Sequence, residues 1–276
     1  MTAVRHDVMD LRAAGADPPP EPWWKRHRTP LIAVADLVVF VAVWHVAVVN
    51  LQLVNRVFFP SPGDVAASLW TLASSGELGR QLAASAANWA VGYGLGAVAG
   101  IATGLVAGSV TWANRLLMPL LWSLWATPLI ALQPTLTAWL DYGSGPILVL
   151  VFLSTMIPVA LNTATGATQI RGSMLRAGRV FGANRLALYL KVRLPWAVPY
   201  IIGGLRLSVP TSMIGLLVGE MVGSPSGIGS IIVNATSRFR TGEAFAAITV
   251  YVVLSVALVR ILDLWERRAG TWRTGG

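Results

Sequence analysis

Apolar residues fall into six long runs separated by short polar punctuation. The first covers 31–49, nineteen residues interrupted only by Asp36 and His45. The others cover about 84–107, 116–140, 146–167, 196–222 and 244–262. At 1.5 Å per residue, a run of the first one's length reaches roughly 29 Å as a helix, one hydrocarbon thickness. The pattern predicts six membrane-crossing helices in an all-α polytopic fold, with both termini on one side. The second run carries Gly92, Gly94, Gly96, Gly100, Gly104 and Gly108. Small residues four apart form a stripe on which a neighbouring helix can lie close. The third to fifth runs hold Pro119, Pro128, Pro134, Pro158 and Pro210. Proline frees backbone carbonyls, which lipid does not tolerate but neighbouring protein or a wet cavity does.

Composition agrees with a bilayer as the main solvent. Hydrophobic residues make up 55% of the 276 and charged residues only 12%, with mean hydropathy +0.63. A soluble domain of this size carries about twice that share of charge. The absence of cysteine excludes disulfides, thiolate metal sites and cysteine nucleophiles. A net charge of +9 would suit nucleic acid in a soluble protein, but here it is better read as orientation. With the N-terminus cytoplasmic, fifteen Lys and Arg fall on the cytoplasmic side and only Arg56, Arg80, Arg238 and Arg240 on the other. Arg206 and Arg260 lie inside spans, near enough to their cytoplasmic ends to snorkel. Residues 1–29 read as a disordered, partly basic cytoplasmic tail, 30–265 as the transmembrane domain, and 266–276 as a second cytoplasmic tail.

Catalytic signatures are missing. The two lysines, Lys25 and Lys191, lie in no phosphate-binding loop, and no zinc-protease or serine-hydrolase motif occurs. Gly94-Leu95-Gly96 imitates a dinucleotide fingerprint but lacks the preceding strand and the acidic partner. No carboxylate sits at the middle of a span, where an ion-coupled carrier would place one. The chain reads as a transport pathway whose energy comes from another protein. Thr127, Gln133, Thr155, Ser208, Thr211 and Ser212 are candidate pathway residues, or else helix-to-helix hydrogen-bonding groups. Glu220, near the outer end of the fifth run, either caps a helix or lines an outer gate.

The longest polar interruption on the cytoplasmic side runs from 169 to 193. Residues 174–181 read as helix, Gly182 as a turn, and a second amphipathic stretch ends at Pro195. Such an element suits docking into a groove on a partner. This segment resembles the cytoplasmic loop of binding-protein-dependent ABC transporter permeases, whose pattern is Glu-Ala-Ala-x3-Gly-x9-Ile-x-Leu-Pro. Ala177, Gly182, Val192, Leu194 and Pro195 occupy the matching positions, while Arg176 stands for the glutamate and Gly178 for the second alanine. The fragments Phe59-Pro60-Ser61-Pro62, Tyr142-Gly143-Ser144-Gly145, Pro199 to Arg206, and Gly219-Glu220-Met221 with Gly227-Ile228-Gly229 are similar to the nitrate/sulfonate/taurine branch. The resemblance spans about residues 30–270.

It implies a type I importer permease with six core helices and coupling helices at 171–195 that meet a cytoplasmic ATPase. It further implies a second permease subunit, identical or similar, and a periplasmic or lipid-anchored solute-binding protein. ATP and Mg would bind the ATPase, leaving this chain without catalysis, cofactor or nucleic acid. Nitrate, alkanesulfonates, taurine, aromatic carboxylates and pyrimidine precursors are the solutes the branch moves. The rival reading is a stand-alone ion-coupled transporter.

Overall fold

The computed structural model describes residues 23–170 and 172–270, with side chains for all of these but 23–31, 185–186 and 265–270. The tails at 1–22 and 271–276, and Arg171 of the coupling segment, lie outside the described residues. All regular structure among the described residues is helical. The chain divides into two units, the first ending at Val54 and the second starting at Asn55.

The first unit is one helix, α1 (Trp23–His45), prolonged by a π-helical turn at Val46–Asn50. Its window 32–50 is long and apolar enough to cross a membrane. Leu37, Val38, Val39, Phe40 and Val43 are exposed along it, as a lipid-facing helix requires.

The second unit holds α2 (Pro62–Ser74), α3 (Glu77–Ser109), α4 (Thr111–Ala126), α5 (Gln133–Leu140), α6 (Ser144–Thr168), α7 (Gly172–Val180), α8 (Arg185–Leu188), α9 (Leu194–Gly223), α10 (Ile228–Ser237) and α11 (Thr241–Gly270). At its centre is α6, which packs against α3 on one side and α9 on the other. Its spanning window is 67% buried within the chain, against 17% for α11, so α6 is shielded from lipid by its own neighbours. The glycine stripe explains how α3 comes so close. A Cβ on Gly92, Gly96, Gly100, Gly104 or Gly108 would stand 2.5–2.8 Å from atoms of α6. Gly94 lies off this stripe, with open space where its Cβ would be. On the opposite flank Gly204, Gly215 and Gly219 of α9 play the same part at 2.9–3.2 Å.

Two of the predicted elements differ. The third run is not one straight helix: α4 and the 129–140 segment meet at a bend of 84°. The cause is Pro128, which forces Thr127 into extended backbone (φ −78°, ψ 130°) and ends α4 there. Pro119, by contrast, is accommodated inside α4, and Pro158 and Pro210 inside α6 and α9. Nor does the cytoplasmic segment end at Pro195. A π-helical turn at Tyr189–Arg193 carries the chain from α8 straight into α9. There Leu194 N donates to Tyr189 O, five residues back. This wider register accommodates a proline that cannot donate to the carbonyl four residues before it.

Candidate functional site

The break in the third run faces Pro158. Leu124, Trp125, Thr127, Leu129 and Ile130 form one wall of a cleft of about 210 Å³. Leu153, Ser154, Ile157 and Pro158 of α6 form the second, and Thr211, Ile214 and Gly215 of α9 the third. The lining is apolar apart from Thr127, Ser154 and Thr211. Thr127 is exposed and its hydroxyl donates to Ser123 O, 2.8 Å. Thr211 Oγ1 donates to Ser154 O across the helix pair, 2.9 Å. Ser154 is four residues before Pro158, so its carbonyl is the one that Pro158, lacking an N–H, leaves without a helical partner. Thr211 Oγ1, which also lies 3.0 Å from Ser208 O of its own helix, offers that carbonyl a donor from the neighbouring helix.

The other candidate pathway residues lie away from the cleft. Thr155 is fully buried against the glycine stripe and donates to Val151 O, 2.8 Å. Ser208 and Ser212 are fully buried between α9 and α3. Trp89 Nε1 donates to Ser212 Oγ (3.0 Å), and Tyr93 OH donates to Leu205 O (2.7 Å) beside Ser208. Trp89 and Tyr93, stacked with centroids 4.5 Å apart, were not among the sequence candidates. Their i, i+4 spacing, matched by Ser208 and Ser212 on the facing helix, is the signal that could have paired them. Gln133 is 1% exposed; its amide donates to Thr137 Oγ1 and Gly219 O, both at 3.3 Å, and so ties the start of α5 to α9.

Glu220 is fully buried at the end of α9 and faces the first turn of α10. Its Oε2 accepts from Gly229 N at 3.0 Å, so it caps α10 from inside the protein. Gly227 (φ +105°) makes room for it, because a Cβ there would strike the carboxyl. Ser85 and Gln81 of α3 complete the collar by accepting from Ile228 N (2.9 Å) and Gly227 N (2.6 Å). The whole outer turn between α9 and α10 hangs on one carboxylate and two α3 side chains.

At the other end of α9, α7 and α8 form a short hairpin. Gly182, at φ +77°, makes the turn, and Asn184 Oδ1 caps α8 by accepting from Ala187 N at 2.8 Å. Gly178 lets Leu188 close onto α7, since a Cβ there would stand 2.5 Å from Leu188 Cδ2. That is a packing reason for glycine where the resembling pattern has alanine. Arg176, Ala177 and Pro195 are exposed, and Val192 and Leu194 are half-buried. Val180 (84% exposed) and Phe181 (88%) stand out at the tip. No Asp or Glu occurs anywhere from 169 to 195. Arg206, read above as snorkelling, instead pairs with Asp263 of α11 at 2.7 Å.

The described residues thus form a bundle of long apolar helices with an apolar cleft beside Pro158 and a basic hairpin at one end of α9. Residues 96–270, more than half of the chain, match the family described as binding-protein-dependent transport system inner membrane component. The chain belongs to that family. It is 31% identical over 235 residues to the protein named as an aliphatic sulfonates transport permease, SsuC, of Bacillus subtilis, covering 85% of each chain. Its Escherichia coli counterpart of the same name is 33% identical over 232 residues, covering 84% of this chain and 88% of that one. The taurine transport system permease protein TauC of Escherichia coli is 26% identical over 254 residues, covering 90% and 92%. These relatives are transport permeases, and the chain is an ABC transporter permease with several membrane helices.

Proposed function

We propose that this permease forms the translocation pathway of an ABC importer and is driven by a separate cytoplasmic ATPase that docks on the 171–195 segment. One observation carries the reading: a solvent-exposed Val180–Phe181 tip, flanked by Arg176 and Arg179, on a hairpin that runs without a break into α9. Exposed aromatic and aliphatic side chains at a membrane protein's aqueous face mark a docking site. The 30 residues of α9 reach about 45 Å. The same rod borders the cleft at Thr211, Ile214 and Gly215 and ends at Glu220. A displacement of the hairpin is therefore delivered to the cleft and to the α10 turn along one continuous helix, which carries Pro199 and Pro210 inside it.

In this reading ATP and Mg bind only the ATPase, ATP binding draws two coupling hairpins together, and hydrolysis resets them. The chain works as one of a pair of permease subunits, its termini cytoplasmic. A solute-binding protein delivers the substrate to the opposite face, at segments 50–83 and 222–242. The solute is a small anion of the sulfonate, taurine or nitrate kind. Support comes from the relatives' names rather than from the outward arginines. Arg80 is paired with Glu77, and Arg240 with Glu243 at 2.9 Å.

The test is reconstitution of the complex with its ATPase and solute-binding protein in liposomes. Phe181→Glu is expected to cut ATP hydrolysis stimulated by loaded binding protein at least about tenfold, with membrane insertion unchanged because Phe181 is 88% exposed. Full stimulation in that variant would remove the hairpin from the mechanism. Gradient-driven uptake by the purified chain alone would favour the ion-coupled alternative instead.

A further inference from the structure

Where α3 turns into α4, next to the hairpin, the structure holds a polar cleft of about 350 Å³. Arg115 and Arg193 face it from two sides, one on α4 and one on the π-helical turn before α9. Between them lie Ser109, Asn114 and Thr168, and among the described residues no Asp or Glu lines the cleft. Asn114 and Thr168 spend their donors on backbone, Asn114 Nδ2 on Ala107 O (3.0 Å) and Thr168 Oγ1 on Thr165 O (2.9 Å). Ser109 Oγ, however, is buried without a hydrogen-bond partner, and α4 opens with no side-chain cap. Among the described residues Arg193 donates to Ser109 O, at a long 3.4 Å. Two guanidinium groups, an orphaned hydroxyl and an uncapped helix start together form a receptor for an oxyanion.

A second feature says what carries that oxyanion. Sharing Val110, Thr111 and Arg115 with the cleft is a shallow apolar hollow walled by Trp112 and Leu116. Trp112 is 68% exposed and Leu116 56%, at the start of α4, which passes as a membrane segment only together with the bent 129–140 stretch; indoles at the ends of such segments sit among headgroups. A free phosphate would use the cleft and leave the hollow empty. A molecule with a phosphate at one end and a hydrocarbon chain at the other fills both.

We infer that the Arg115–Arg193 cleft binds the headgroup phosphate of an anionic phospholipid, with an acyl chain laid along Trp112 and Leu116. The cleft also touches Leu175 of α7, so the bound lipid bridges the α3–α4 turn and the hairpin. If the hairpin is the ATPase-docking element proposed above, the lipid holds that element against the bundle at rest. This consequence rests on that reading, whereas the binding itself does not.

Lipid retention by the full-length chain in detergent separates the two. After delipidation, phosphatidylglycerol or phosphatidylcholine with the same acyl chains is added back, and bound lipid is counted by native mass spectrometry. Phosphatidylglycerol should be retained in clear preference. Arg115→Gln and Arg193→Gln should each lower its apparent affinity about fivefold. Arg179→Gln, on the exposed outer part of the hairpin, should leave it unchanged. Trp112→Ser with Leu116→Ser should weaken retention of the lipid. Arg115 is exposed, so its variant alone decides the matter even if the Arg193 variant folds poorly. Equal retention of phosphatidylcholine, or undiminished phosphatidylglycerol on the Arg115 variant, would overturn the site. Millimolar inorganic phosphate that competes the lipid off and matches its thermal stabilisation would overturn the lipid assignment in favour of a free anion.

Discussion

Single atoms decide how closely the central helices approach. Gly104 has its would-be Cβ 2.5 Å from Ala160 O and 2.6 Å from Thr163 Cβ, while Gly94, nearly three turns earlier, has nothing within 4 Å. Both are glycines in the middle of one apolar helix, and sequence alone assigns them the same stripe. Gly104→Leu should therefore destabilise the protein by about 1–3 kcal/mol or more, because backbone must move to admit it. Gly94→Leu should be neutral or gain a few tenths to about 1 kcal/mol from helix propensity. Thermal aggregation of the two variants in detergent, measured side by side, checks the pair; equal losses would show that the stripe is not the contact. Asp64 makes a second residue-scale case, outside the membrane spans. Ser61 and Asp64 form a reciprocal capping box at the start of α2, with Ser61 N and Oγ donating to Asp64 Oδ2 at 2.9 and 2.7 Å. Those hydrogen bonds from Ser61 hold the Asp64 carboxyl below the usual carboxylate range. A lowered folded-state value means the cap's contribution is complete above the ordinary aspartate value of about 4. It is lost as pH falls through the lowered one. Amide exchange across α2 should be pH-independent in its protection above about pH 5 and lose protection only in stronger acid. Asp64→Ala should cost about 1 kcal/mol at neutral pH.

At the next scale, a hydrogen bond crosses between helices where Pro158 has broken the ladder within one. The Pro158–Ser154–Thr211 arrangement makes this measurable as a cycle. Thr211→Val should cost about 1 kcal/mol, because the Ser154 carbonyl loses its donor. In a Pro158→Ala background, residue 158 regains an N–H that reaches the same carbonyl, and the Thr211→Val cost should shrink. A coupling energy of about 0.5 kcal/mol or more in unfolding from micelles supports the relay, and additive effects would refute it. The same physics explains what could be seen in advance. Six apolar runs, the glycine stripe and the cytoplasmic segment follow from length, spacing and charge. The 84° bend at Pro128 and the unbroken passage through Pro195 do not. Pro128 stops a helix by forcing Thr127 into extended backbone, whereas Pro195 is absorbed by the π-turn before it, and both are prolines inside or beside an apolar run. Likewise Glu220 could be marked as a cap or a gate from its place in the run. Only tertiary packing showed it fully buried, holding Gly229 N.

For the whole molecule, the remaining matter is which face of the membrane each end addresses. Read as orientation, the charge asymmetry predicts the hairpin tip at Phe181 on the cytoplasmic side with fifteen Lys and Arg, and Arg240, at the turn between α10 and α11, on the opposite side with three others. The fold separates these two positions by the length of α9, and both are exposed, Phe181 at 88%. Since the natural chain has no cysteine, a single introduced thiol reports its own surroundings without background. Phe181→Cys in cells should resist a membrane-impermeant maleimide and react only after the membrane is opened. Arg240→Cys should react in intact spheroplasts. If both label from outside, the hairpin cannot meet a cytoplasmic ATPase. If the pattern is reversed, the basic residues have been read with the wrong sign. With the expected result the cleft at Thr211 lies on a helix joined to the cytoplasmic hairpin, and the collar at Glu220, Ser85 and Gln81 lies toward the opposite face.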